Sequence, residues 1–98
     1  MDTKDWVTKS RVVDEETGEV VLSANGVEVV AEDYSGIGLE KLQLMAQDAD
    51  RAVKRRNAIL ADMRMTIWRD EEYLRLLCIA DELDLQVALR GREEEVGS

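Results

Sequence analysis

The sequence predicts an α+β domain: an N-terminal three-stranded antiparallel β-meander, then a long helix and a second, shorter helix, with a short C-terminal strand as an option for the last apolar run. Three observations point there. Asn25-Gly26 stands between two β-type runs, and a two-residue type I′ turn needs residues that accept positive φ at both central positions. After it, Val27, Val29 and Ala31 alternate with Glu28, Val30 and Glu32, the period of a sheet with one wet face. From Leu39 to Trp68 neither glycine nor proline interrupts, and apolar residues recur at spacings of three and four.

Taken in order, Trp6 to Val13 mixes β-branched and polar residues and reads as the first strand. Asp14-Glu15-Glu16-Thr17-Gly18 supplies a turn in which Gly18 is free to take positive φ. Glu19 to Ser23 resumes the strand pattern, so the meander spans residues 6–32. Gly36-Ile37-Gly38 then punctuates the passage to the helical part, residues 38–83. A Gly-x-Gly pair with no third glycine and no Gly-Lys-Ser/Thr reads as a connector, not a phosphate loop, and nothing else in the chain points to a cofactor.

Along the long helix, Leu42, Met45, Ala49, Ala52, Ile59 and Met63 form a heptad-like stripe in which Arg56 fills one position with a charge. A continuous helix over 39–68 would be about 45 Å long, so it must bend, project, pair as a helical hairpin or meet a second chain. Asp70-Glu71-Glu72 marks a new helix start, a capping aspartate followed by acids that complement the helix dipole. Tyr73, Leu76, Leu77, Ala80 and Leu83 mark one face of that helix. Beyond it the alternation of Leu85, Val87 and Leu89 favours a strand or a frayed segment, although Ala80, Leu83 and Val87 keep helical spacing. The expected domain is residues 1–90, and the acidic stretch 91–98 reads as a disordered tail. The expected core joins Val21, Val27, Val29 and Ala31 to Leu42, Ile59, Leu60, Leu76, Leu77 and Leu83.

Charge is the main functional clue. The 98 residues carry 22 acids and 13 bases, a formal net charge of −9. Residues 1–38 hold nine acids and three bases, residues 39–69 four and seven, and residues 70–98 nine and three. Two acidic flanks thus enclose a locally basic helix with Arg51, Lys54, Arg55 and Arg56 clustered. The flank acids Asp14, Glu15, Glu16, Glu19, Glu28, Glu32 and Asp33 form a candidate docking face for a basic groove on another protein.

The same counts exclude much chemistry. There is no histidine to act as general base or metal ligand, and the single cysteine, Cys78, lies in the apolar run Leu76-Leu77-Cys78-Ile79-Ala80. The acids occur in runs, as in solvated faces and turns, and the Asp48/Asp50 pair lacks calcium-loop spacing, so no metal site is expected. No apolar run approaches the roughly 20 residues of a membrane span, and Met1 to Trp6 does not read as a signal sequence; a cytoplasmic protein is expected.

These readings converge on a non-catalytic interaction protein. Its most concrete form is a small acidic inhibitor or regulator of the kind mobile elements and phages encode. It would dock on a basic surface of a larger nucleic-acid-handling protein, in the limit by mimicking nucleic acid. A structural homo-oligomer built through the heptad-like stripe is the alternative. A DNA-binding regulator using Arg51 to Arg56 comes third, because a nucleic-acid surface ordinarily carries a basic excess over the whole domain.

Overall fold

The computed structural model describes residues 7–97, with side chains through Glu93. Strands β1 (Lys9–Val13), β2 (Val20–Ala24) and β3 (Val27–Val30) are followed by helix α1 (Leu39–Asp62), one 3₁₀ turn (Ile67–Arg69) and helix α2 (Glu71–Gly97). The strands form a three-stranded antiparallel sheet in the order β1-β2-β3, as the turn chemistry predicts. Asn25 and Gly26 take φ of 48° and 87°, and Gly18 takes 77°, so the conformations that demand these residues are the ones used. Asp14 organises the first turn, its Oδ1 accepting from the Glu16 and Thr17 N–H groups. The strand start expected at Trp6 lies outside the described residues.

The register assigns the two faces of the sheet. Arg11, Leu22 and Val29 are cross-strand neighbours, as are Lys9, Ala24 and Val27, and this face meets α2. Val12, Val21 and Val30 form a row on the opposite face, beside Ser10, Ser23 and Glu28. Val21 is therefore not a core residue as expected; Leu22 and Ala24 are buried instead. The run Val20-Val21-Leu22 is apolar at both parities, so alternation within β2 could not choose between them.

The helical part departs from a single rod. Helix α1 stops at Asp62, short of the expected Trp68, because the chain closes on its own carbonyls. Met63 N–H donates to Ile59 C=O, Arg64 N–H to Ala61 C=O and Met65 N–H to Leu60 C=O. Arg64 sits at φ 56°, the left-handed conformation that ends many helices. Asp70 then caps α2 as expected, its Oδ2 accepting from the Tyr73 N–H at 2.7 Å. The two helices form an antiparallel hairpin.

Residues 85–89 are helical, so the optional terminal strand is not formed, and the backbone of 91–97 continues α2. Val87 packs with Tyr34, Leu42 and Leu83, while Leu85 and Leu89 are exposed, so the period-two pattern there reflects no sheet. Arg90 anchors this part of the helix by donating to the carbonyls of Tyr34, Ser35 and Ile37. Gly91 inside a helix costs about 1 kcal/mol relative to alanine, too little to stop a helix held by its neighbours.

Two apolar clusters result. One joins Leu22, Ala24, Leu60, Tyr73, Leu74 and Cys78 beneath the sheet, and the other joins Tyr34, Leu42, Ala46 and Leu83 at the far end of the hairpin. Ile59, expected in the core, is 43 % exposed.

Candidate functional site

The antiparallel order of the strands gathers acids that are distant in sequence. The β1–β2 turn and the segment leaving β3 lie at one end of the sheet, so Asp14, Glu15, Glu16, Glu19, Glu32 and Asp33 share that end. Glu28 sits on the outer face near the Asn25-Gly26 turn, at the opposite end. A groove of about 540 Å³ opens among Thr17, Glu19, Glu32, Asp33, Tyr34, Glu82 and Gln86. Asp33 is held in an Asx turn by the Ser35 N–H at 3.0 Å, which together with the Ser35 hydroxyl keeps its carboxyl below the ordinary aspartate range. Burial pushes the Tyr34 phenol up, and the charges of Glu32 and Glu82 push it further.

The bases of the same part of the chain are engaged. Lys9 and Arg11 are the only bases in residues 7–38. Arg11 grips Glu82 with two bonds, Nε to Oε1 at 2.8 Å and Nη2 to Oε2 at 3.1 Å. Lys9 reaches Asp81 at 2.8 Å. Glu82 is 3 % exposed and also accepts from the Gln86 amide at 3.0 Å. Burial alone would raise its carboxyl; the Arg11 and Gln86 hydrogen bonds and the Arg11 charge outweigh that and hold it below the ordinary glutamate range.

These partners were not legible as a site. Glu82 does leave a signal, since Leu74, Cys78 and Glu82 follow at intervals of four, placing an acid in the core register of α2. Its partner on β1 lies 71 residues away and has no local trace.

The basic cluster divides. Arg56 turns inward, donating through Nε and Nη2 to the Asp70 carboxylate at 3.0 and 2.9 Å, with Glu72 at 3.6 Å from Nη1. Those Arg56 bonds, aided by the Tyr73 N–H, hold the Asp70 carboxyl down against its burial. Arg51 pairs with Asp48 on its own helix at 2.8 Å. Lys54 and Arg55 are exposed and form no ion pair among the described residues.

The stripe divides as well. Leu42, Met45 and Ala49 pack against the Leu83, Ile79 and Val87 side of α2, and Ala52 is half-buried. Ile59 and Met63 stay exposed. The hairpin thus covers within one chain much of what the heptad spacing offered to a second.

A smaller cleft of about 240 Å³ lies under β1, floored by Leu22, Ala24, Leu77 and Cys78 and edged by the Lys9–Asp81 and Arg11–Glu82 pairs. The Cys78 thiol is pushed up by burial and by Asp81, with Lys9 opposing, which keeps it protonated and weakly nucleophilic. The Asp84 carboxyl is pushed up, by burial first and then by Asp50 and Asp81. Among the described residues no group of three His, Cys, Asp or Glu side chains is placed to hold a metal ion, and no helix is long and apolar enough to cross a membrane. Comparison with protein-family models, curated proteins and solved structures finds no match to this chain.

Proposed function

We propose that this chain is a non-catalytic interaction protein that docks through its acid-rich sheet end on a basic surface of a larger nucleic-acid-handling protein, as an inhibitor or regulator. One observation carries the reading. Acids from two separate connections share one end of the sheet, and the bases near it among the described residues are engaged: Lys9 and Arg11 by Asp81 and Glu82, and Arg90 by the carbonyls of Tyr34, Ser35 and Ile37. An acidic surface of this kind steers encounter with a basic partner and can occupy a groove built for phosphates.

The competing readings draw less support. Self-assembly through the stripe would have to use the part left outside the hairpin, Ile59 and Met63. Duplex binding by the basic cluster would have to use Lys54 and Arg55, with Arg51 and Arg56 engaged by Asp48 and Asp70.

The test is kinetic. A partner recovered from the native host by immobilised protein is purified, and association is followed at low and high salt. Charge reversal by Glu19→Lys, Glu32→Lys and Asp33→Lys together should slow association by at least about tenfold at low salt and little at high salt. An on-rate indifferent to both salt and charge reversal sinks the reading.

A further inference from the structure

On the outer face of the sheet, Val12, Val21 and Val30 are direct cross-strand neighbours, one from each strand. Val12 is 60 % and Val30 56 % exposed, and the helices lie on the other side. Among the described residues no element covers this valine row, which gives up the burial that normally accompanies a β-branched residue in a strand.

Among the described residues the charges around the row have one sign. Two residues from each valine, toward the same end of the sheet, the chain carries an acid: Asp14 after Val12, Glu19 before Val21 and Glu32 after Val30. The ladder continues past the strands there, with Asp14 N–H donating to Glu19 C=O and Ala31 N–H to Val20 C=O, both at 2.8 Å. On the other side of the row Glu28 stands beside Ser23 and Ser10. Both strand bases, Lys9 and Arg11, belong to the opposite face.

Resting on the docking reading above, we infer that the valine row is the apolar centre of the docking surface. Its occupant is a basic protein surface carrying an apolar strip between lysine or arginine side chains. A second copy of this chain fits poorly: face-to-face pairing would set Glu19, Glu28 and Glu32 against acids of the same row. Three valines are also far short of the roughly 800 Å² per partner that a standard stable interface buries, so the rim must be attractive for the centre to be covered.

The test uses the full chain with labelled valine methyls and three short synthetic peptides: alternating Lys/Val, alternating Lys/Ser and alternating Glu/Val. The Lys/Val peptide should shift the methyls of Val12, Val21 and Val30, leave Val20, Val27 and Val29 in place, and bind at least about tenfold more tightly than Lys/Ser, a difference of about 1.4 kcal/mol. The Glu/Val peptide should not bind. Val12→Thr with Val30→Thr should abolish the Lys/Val advantage while leaving the salt dependence intact; either substitution alone should reduce it, which serves if the double variant folds poorly. Equal binding of the Lys/Val and Lys/Ser peptides, with the methyls of Val12, Val21 and Val30 unmoved, overturns this inference and leaves the docking reading standing. Binding of neither basic peptide overturns both. A dimer seen by sedimentation and dissolved by Val12→Thr overturns it in favour of a second copy.

Discussion

On the helix-facing side of the sheet Leu22 and Ala24 are buried, and Lys9 and Arg11 are each matched to an acid of α2. On the other side Val12 and Val30 stand in solvent, and the only strand charge is Glu28. The same three strands supply both surfaces, because the pleat sends neighbouring residues to opposite sides. The difference teaches that an acidic composition does not spread evenly once the chain folds. Pairing ties Lys9 and Arg11 to acids of α2 on one face and leaves Glu28 on the other.

The contrast is sharpest in the interior. Leu22→Ala should cost about 2–4 kcal/mol, since it empties a buried site next to an existing cleft, whereas Val21→Thr on the outer face should cost less than about 1 kcal/mol. Urea unfolding of the two variants measures the gap, and equal losses would show that the outer row is packed in solution.

Next comes the bond that ties the edge strand to the helix. Glu82→Gln removes the charge that Arg11 grips and should cost about 1–2 kcal/mol at neutral pH, discounted because the arginine is partly solvated. The pH dependence has a definite sign. A carboxyl held down in the folded state stabilises the fold above its unfolded pKa and loses that contribution as pH falls through the folded value. Asp70 acts in the same direction. Wild-type stability should therefore fall below the ordinary carboxylate range and converge on that of Glu82→Gln, as urea midpoints against pH would register. A constant offset across that range would remove Glu82 as the cause.

Smaller effects test the rim. The Lys9–Asp81 pair is about half exposed on both sides, and Lys9→Ala should cost no more than about 0.5 kcal/mol. Val12→Thr should likewise stay within about 0.5 kcal/mol, in either direction. A larger loss at Lys9 than at Glu82 would reverse the roles given to the two tethers.

Several elements are readable from local chemistry. Asn25-Gly26 takes its turn, Gly18 its positive φ and Asp70 its cap, each because the residue's own backbone or side chain settles the matter. What is not readable depends on distance or on degenerate pattern. Val21 and Leu22 are equally apolar, and Leu22 is the one buried with Leu74 and Cys78 of α2. The end of α1 has no glycine or proline to announce it; it rests on Arg64 adopting the left-handed conformation. Leu85, Val87 and Leu89 imitate a strand, and the contacts of Val87 and Arg90 with the connector around Tyr34 keep them helical. For the candidate site, the acids are visible by composition. The inward turn of Arg11 and Arg56 is not, because Glu82 and Asp70 lie 71 and 14 residues away.

The placement of α2 also bears on how the chain comes to be folded at all. The sheet rests on α2, and α1 pairs with it, yet α2 follows both in sequence. During synthesis the meander and the amphipathic α1 segment are made before the helix that both must bury against. The valines and leucines of residues 7–70 thus precede the helix they bury against, and like charge around the meander disfavours association of such chains over that interval.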